Sequence, residues 1–360
     1  MARVVCAMSG GVDSSVAAAM LVEQGHEVIG VTMQLWPEGV EGGEQGCCGL
    51  TAVDDARRVA QRLGIRYHVT NFRDLFQDRV INDFIREYAA GRTPNPCVRC
   101  NQFVKFEALL NRAKQWGADF VATGHYARVD RDGGSGRYRL LRAAASKKDQ
   151  TYALYNLTQD QLAHTLFPLG DLPSKEDTRR LARELGLPTA AKPDSQEICF
   201  IPGNDYRAFL RQHAPETQAV GEVVDEAGTV VGSHEGIAQF TRGQRRGIGA
   251  HGPEAHFVVD VRPESNQVVI GLGASLYARR FRVEGMNWVS RSGPPDAVGG
   301  VTAKIRYNMA DRPCRVVEDE CGVLGEFDQP QRAITPGQSA VFYEGDSVLG
   351  GGIVGRVERG

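Results

Sequence analysis

The first 125 residues alternate between two apolar patterns. Short, nearly unbroken apolar runs fall at Val4–Met8, Glu27–Leu35, Ile65–Phe72 and Ala118–Thr123. Their length and β-branched content predict strands buried on both faces. Between them, Val12–Gln24, Thr51–Gly64, Asp74–Ala90 and Phe103–Trp116 carry the apolar spacing of helices. Gly25 and Gly64 suit helix C-terminal stops, and Thr51 with Asp54 three residues on resembles a capping box. This rhythm predicts an α/β domain with a doubly wound parallel sheet, which binds ligands at the carboxyl ends of its strands.

After Gly203 the pattern changes. Asn204–His213 is still helical, but from Val220 onward short β-rich runs dominate: Phe257–Val261, Val268–Leu272, Phe281–Val289, Thr302–Tyr307, Arg315–Glu318 and Ser339–Tyr343. Gly and Pro punctuate them, which predicts small β-domains or barrels. Boundaries near Gly203 and Ser275 divide the chain into residues 1–203, 204–275 and 276–360.

Composition narrows the class. The 360 residues leave room for two or three domains, and 42% hydrophobic with 24% charged residues is ordinary for a globular chain. A net charge of −2 gives no global positive field, so any nucleic acid must be met by local basic patches. Eight cysteines are too few for a secreted disulfide scaffold of this length. MARVVCAMSGG lacks the apolar core of a signal peptide, and no apolar run is long enough to cross a bilayer. The expectation is a cytoplasmic protein with reduced thiols and no membrane partner.

SGGVDS, Ser9–Ser14, follows the first apolar run and opens the first helix. Gly10 and Gly11 let the backbone approach an anion, the helix start offers N–H groups, and Ser9, Ser14 and Ser15 can add hydroxyl donors. No lysine follows, so this is not the G-x-x-x-x-G-K-[ST] loop, nor is it G-x-G-x-x-G. A tight turn that needs glycine only for its backbone is the plain alternative. Asp13 fits poorly beside a phosphate unless Mg2+ is present, which points to a metal–nucleotide complex.

The loop resembles the PP-loop of the ATP pyrophosphatase superfamily, which holds the β,γ-diphosphate while ATP is split between its α and β phosphates. GVTMQLW, GCCG, GRTPNPCVRCN, ATGHYAR, KKDQTYALY, KPDSQEICFI and TRGQRRGIG follow in order along nearly the whole chain. Together they resemble the tRNA-specific 2-thiouridylases, which replace O2 of the wobble uridine with sulfur. The resemblance implies a PP-loop domain, a small central domain and a C-terminal β-barrel. It implies ATP with Mg2+, a tRNA bearing a wobble uridine, and a sulfur donor such as a persulfide carrier or cysteine desulfurase. It assigns Ala7, Met8, Ser9, Gly10, Gly11, Val12, Asp13 and Ser14 to the phosphates, Met33 to the adenine region and Gly124 to the nucleotide pocket. Met33 alone would read as core.

TPNPCVRCN places Cys97 and Cys100 in a C-x-x-C spacing, which suits a metal pair, a redox disulfide or an activated thiolate. The resemblance makes Cys100 the nucleophile and Cys199 the persulfide carrier. Cys100 is expected just before the Phe103–Trp116 helix and beside Arg99, a setting that lowers a thiol pKa. Cys199 alone, between Ile198 and Phe200, would read as an inert buried thiol. Many members of the family carry Asp where this chain has Cys97. The three cysteines Cys97, Cys100 and Cys199 are one short of a closed zinc site, but could hold three irons of a 4Fe-4S cluster with the fourth left open. A persulfide relay closed by a Cys100–Cys199 disulfide fits the spacing as well, and a passive Cys97–Cys100 redox pair is a third reading. Cys6, Cys47, Cys48, Cys314 and Cys321 receive no role.

For RNA, the resemblance points to Asn95, Pro96 and Cys97 at the target base, and to His125, Lys148, Asp149, Gln150, Arg306, Tyr307 and Gln338 as tRNA contacts. The residues themselves add Arg242, Arg245 and Arg246 on a glycine-rich loop able to follow a backbone. Two rivals remain. An amide-forming PP-loop ligase that adenylates a carboxylate would not need Cys100 or Cys199. An RNA-binding module with a regulatory nucleotide site would not couple AMP release to RNA sulfuration.

Overall fold

Val4, Val5 and Cys6 are wholly buried, as a strand must be when helices cover both of its faces. They belong to β1 (Arg3–Ala7) of a computed structural model that describes residues 1–35, 50–194, 198–249, 254–294 and 300–358. The chain forms two compact units. The first comprises Met1–Val80, Cys97–Asn204 and Asp346–Val348; the second comprises Ile81–Pro96, Asp205–Gly345 and Leu349–Gly360.

In the first unit, β1 leads into α1 (Val12–Glu23) and β2 (Glu27–Gln34), then α2 (Leu50–Leu63), β3 (Arg66–Asn71) and, further on, β4 (Phe120–Ala122). The sheet runs β3-β2-β1-β4 with Thr165–Leu166 at its far edge, and every pair is parallel. Strand order reverses between β1 and β4, the place where open α/β sheets leave a crevice beyond their carboxyl ends. Val16, Ala17, Ala18 and Leu21 bury α1 against this sheet; small alanines allow the close approach, and each large aliphatic side chain buried contributes roughly 1.5–3 kcal/mol.

Two expected helices differ. Asp74–Ala90 is a composite: Arg73–Phe76, a π-helical Gln77–Ile81, then Asn82–Ala89. The other begins at Pro96, not Phe103, and runs through a π-helical Cys100–Ala108 to Gln115. Proline's fixed φ suits a first helical position, and this one starts the helix early.

The second unit contains a four-stranded sheet (Gly221–Val224, Val230–His234, His256–Arg262, Gln267–Leu272) and a six-stranded antiparallel barrel. The barrel strands are Tyr277–Trp288, Val301–Lys304, Arg312–Asp319, Gly322–Arg332, Ser339–Glu344 and Ser347–Glu358, and the first closes on the last. The closing strand SVLGGGIVGRVE is not among the β-rich runs expected from the sequence. Its glycines are required by closure: a Cβ at Gly350 would stand 2.3 Å from Asn287 O, and one at Gly352 would stand 2.5 Å from Glu284 O. Helix Asn82–Ala89 packs on helix Tyr206–His213 through stacked Tyr88 and Tyr206, with centroids 5.0 Å apart.

Candidate functional site

The phosphate loop sits at the sheet's reversal point. Met8 N–H donates to Val31 O at 2.8 Å and the Thr32 hydroxyl donates to Met8 O at 2.6 Å, which fastens the turn to β2. Gly10 has φ +70°, and a Cβ there would lie 2.2 Å from Ala52 O, so only glycine fits. The Ser14 hydroxyl accepts from Ser9 N–H at 3.1 Å, and the Ser15 hydroxyl donates to Gly11 O at 2.8 Å. Gly11 precedes α1 without a side-chain cap. Gly124, just past β4, backs onto the same helix start: a Cβ would stand 2.6 Å from Ser14 N. Ser9–Ser14 and Gly124 are thus brought together; Met33 is buried near the carboxyl end of β2.

The loop has no lysine of its own, and the fold supplies two. Lys175, the first residue of helix Lys175–Glu184, donates to both Asp13 carboxylate oxygens at 2.7 Å. Its side chain is 8% exposed and also reaches Asp194 at 2.9 Å. Lys192 donates to Gly10 O at 3.1 Å and pairs with Asp55 at 2.8 Å. Lys148 and Arg179 each hold Asp194 at 2.9 Å. Burial pushes the Asp194 carboxyl up, but hydrogen bonds from Lys148 and Lys175 outweigh it and bring the pKa down to about 2. The Tyr126 hydroxyl donates to Asp13 at 2.8 Å; burial, reinforced by the Asp13 charge, raises its pKa and keeps it a neutral donor. The negative charge that made Mg2+ necessary beside Asp13 in the sequence reading is therefore already met by Lys175.

Sequence reasoning missed Lys175, Lys192, Arg179 and Asp194. One signal was legible: Ser174 caps a helix whose first residue is a lysine, at the end where the dipole favours acids.

The thiols are arranged differently from expectation. Because the helix starts at Pro96, Cys97 lies in its first turn, while Cys100 is four residues in, buried, at the start of the π-helical stretch. The expected position of Cys100 at a helix N-terminus does not hold. Asn101, 2% exposed, donates to Ala153 O at 2.9 Å and ties this point to the Thr151–Ala153 turn. Cys97 is exposed and Cys199 is half-buried in a separate turn; none of the three is in a disulfide. Among the described residues no group of three or more His, Cys, Asp or Glu could hold a metal. Cys97, Cys100 and Cys199, the donor set expected for a 4Fe-4S cluster, are thus not gathered among the described residues into a group that could hold one. Cys47 and Cys48 lie outside the described residues.

The residues expected to contact tRNA fall in both units. Asp149 is buried, accepting from Ala143 N at 3.2 Å and from the Thr151 hydroxyl at 2.7 Å. Gln150 brackets the Tyr126 backbone, its side chain accepting from Tyr126 N at 2.9 Å and its own N–H donating to Tyr126 O at 3.0 Å. Through Asp194 and Lys175, Lys148 is linked to the phosphate loop. His125 shares a 2.8 Å hydrogen bond with Thr123 and packs between Phe106 and Phe167. Burial first, and the Lys105 charge second, push its pKa well down.

In the second unit, Arg306 and Tyr307 occupy the turn after Val301–Lys304, and Tyr307 is exposed. A cavity of about 360 Å³ there is lined by Arg306, Asn308, Met309, Arg312, Gln331 and Arg332. The Arg306 guanidinium donates to Arg332 O and Ala333 O, and Arg332 stands 4.9 Å from the Phe257 ring centre. Arg245 and Arg246 are exposed on the central loop. Asn95 is half-buried and Pro96 buried. The amide of Gln338 faces Thr93 and Pro94.

A doubly wound sheet with a glycine–serine cradle at its reversal point defines a nucleotide-binding class of α/β domain. Comparison with known proteins is more specific. Residues 2–203 match a family described as tRNA methyl transferase HUP domain, residues 207–272 its PRC-barrel domain, and residues 278–354 an aminomethyltransferase beta-barrel domain. The tRNA-specific 2-thiouridylase MnmA of Heliobacterium modesticaldum is 52% identical over 98% of this chain and 92% of its own. That of Carboxydothermus hydrogenoformans is 51% identical over 98% and 97%. A solved 4-thiouridine synthetase–RNA complex with bound ATP overlaps 60% of this chain and 51% of its own, at 20% identity and a TM-score of 0.38, too slight to carry an argument. The chain belongs to the tRNA-specific 2-thiouridylase family. No helix among the described residues is long and apolar enough to cross a membrane.

Proposed function

We propose that this protein is an ATP-dependent tRNA sulfurtransferase that converts a wobble uridine to 2-thiouridine. The observation that carries the reading is the cradle of Gly10, Ser14 and Gly124 with Lys175 and Lys192 beside it, in a chain that a relative matches over 98% of its length. The family profiles are described by methyl transfer and the relatives by thiolation. A diphosphate cradle favours the second, because methyl transfer has no diphosphate to hold.

The carbonyl O2 of uridine is a poor leaving group. With loss of the N3 proton, O2 attacks the α-phosphorus of ATP, the Pα–O–Pβ bond breaks, and diphosphate leaves. The first-turn amides of α1 and the lysines Lys175 and Lys192 neutralise the charge that builds on diphosphate. ATP brings Mg2+ on its own phosphates. The terminal sulfur of a Cys199 persulfide then adds to C2, and AMP departs with the old oxygen. The Cys100 thiolate attacks the Cys199 sulfur, the S–S bond to the base breaks, and a Cys100–Cys199 disulfide remains for a dithiol to reduce. A persulfide donor reloads Cys199. This relay needs two thiols to meet in turn rather than three held together, and no metal-holding group stands among the described residues.

Asn95, Pro96 and Cys97 are proposed at the target base, with Lys148 and the arginine-lined cavity around Arg306 on tRNA phosphates. Residues 1–203, 204–275 and 276–360 serve as catalytic, central and barrel domains in a cytoplasmic enzyme.

Single-turnover assay tests this: iron-free enzyme carrying a persulfide, ATP and unmodified tRNA are mixed, and AMP and 2-thiouridine are counted. Equal yields of both are expected. AMP formed from a carboxylate substrate, with activity kept in Cys100→Ser and Cys199→Ser, would favour the amide ligase. Thiolation that requires iron would overturn the relay.

A further inference from the structure

Tyr126 stands just past Gly124 and carries its hydroxyl into the phosphate loop. The residue is buried, and Gln150 holds both polar groups of its main chain, through hydrogen bonds of 2.9 Å and 3.0 Å. The hydroxyl lies 2.8 Å from Asp13 Oδ1 and 2.7 Å from Thr178 Oγ1. A carboxylate only accepts, so Tyr126 gives its one proton to Asp13, and the wholly buried Thr178 hydroxyl must donate to Tyr126. Thr178 follows Lys175 by three positions on the same helix, so the two share a face. Among the described residues, the Asp13 side chain accepts from Tyr126 and Lys175 and from no amide of its own helix.

A helix start would ordinarily pull Asp13 elsewhere. An acid in the first turn is drawn to the free amides there, and a phosphate needs the same amides. Asp13 is the second residue of α1 and its side chain is 34% exposed, so packing alone does not hold it. Lys175 supplies charge on a flexible stem, and bound diphosphate would share that charge. Tyr126, a rigid ring fixed at its main chain, supplies direction and keeps supplying it when the lysine turns to the new anion. We infer that Tyr126 is a positioning residue for the adenylation step. With Thr178 behind it, its hydroxyl holds the Asp13 carboxylate off the first-turn amides of α1 and leaves them to diphosphate. The proposal rests on the 2-thiouridylase reading above.

Tyr126→Phe keeps the ring and removes the hydroxyl. Titration with magnesium diphosphate and, separately, with AMP reads the two ends of the nucleotide site. The Kd for diphosphate should rise about tenfold, the scale of one hydrogen bond to a charged group, while those for AMP and tRNA stay within about twofold of wild type. In thiolation, kcat/KM for ATP should fall by the same factor. Thr178→Val should give the same split at about threefold, with no further loss in a Tyr126→Phe background, because it acts only through that hydroxyl. In an Asp13→Asn background, where the competing charge is gone, Tyr126→Phe should move the diphosphate Kd by less than about twofold. Unchanged diphosphate binding in Tyr126→Phe would overturn the proposal. So would an equal weakening of diphosphate and AMP, the mark of a residue that only shapes the pocket. Wild-type protein that binds diphosphate but inserts no sulfur into tRNA would instead overturn the 2-thiouridylase reading.

Discussion

The phosphate loop and the thiols lie in the same unit but are built in opposite ways. Around the loop, four cations (Lys148, Lys175, Arg179 and Lys192) face three carboxylates (Asp13, Asp55 and Asp194) through contacts of 2.7–2.9 Å, and two glycines leave no space for a side chain. Cys97, Cys100 and Cys199 have three different degrees of exposure and form no metal-binding group. The difference follows from chemistry. A site that must steady the charge building on a departing diphosphate gains from rigid preorganisation. A site that passes sulfur between two cysteines and a base must bring each pair of atoms together only in turn.

The largest expected effect would break this comparison at the thiols. Cys100→Ser should lower thiolation by at least about 1,000-fold while leaving adenylate formation on tRNA intact, because covalent catalysis is lost and the electrostatic cradle is not. Cys97→Ser should retain activity within about threefold; its loss, with iron lost as well, would restore the cluster reading. Labelled ATP and sulfur, followed separately, give both numbers.

Breaking the loop should do the reverse. Lys175→Met leaves Asp13 without its buried cation, and adenylation should fall about 100-fold while Cys100 still alkylates at the wild-type rate. The fold should lose about 2 kcal/mol, the scale of a hydrogen bond to a charged group, measurable by urea unfolding. A variant with normal adenylation would show that Lys175 serves stability alone.

Arg312→Ala touches neither region and sharpens the contrast. It should weaken tRNA several-fold and lower the slope of log K against log salt by about one, with kcat unchanged. An unchanged slope would remove the cavity around Arg306 from the RNA surface.

The smallest effects are pH dependences. Asp194 has a folded pKa lowered to about 2, so its contribution is present above the unfolded carboxylate pKa of about 3.9 and is lost as pH falls toward 2. Asp194→Asn should flatten that part of the stability curve. His125 is held neutral in the fold, whereas the unfolded chain takes up its proton near pH 6.5. Acidification below that value should therefore cost stability, and His125→Phe should reduce the loss.

The sheet and the phosphate loop were legible because their signals are local: apolar runs, helical spacing, and glycines beside serines. The early helix start was legible too, in the proline at position 96, but the pull of the apolar run beginning at Phe103 masked it. Lys175 was less accessible, because its partner lies 162 positions away and only its misfit with the helix dipole betrays it. The barrel's closing strand was hidden for a related reason. Its three consecutive glycines carry no strand signal until the strand they must lie against is known.

That closure has a consequence during synthesis. A shut barrel presents no strand edge, but Tyr277–Trp288 waits for its last neighbour until Ser347–Glu358 has been translated. About sixty residues intervene, which is roughly 3–12 s at ribosomal speeds. For that interval the nascent chain carries a bare edge, and a nearby polysome offers it identical partners. Slow codons or a stall between the two strands would lengthen the hazard without altering one residue of the finished enzyme.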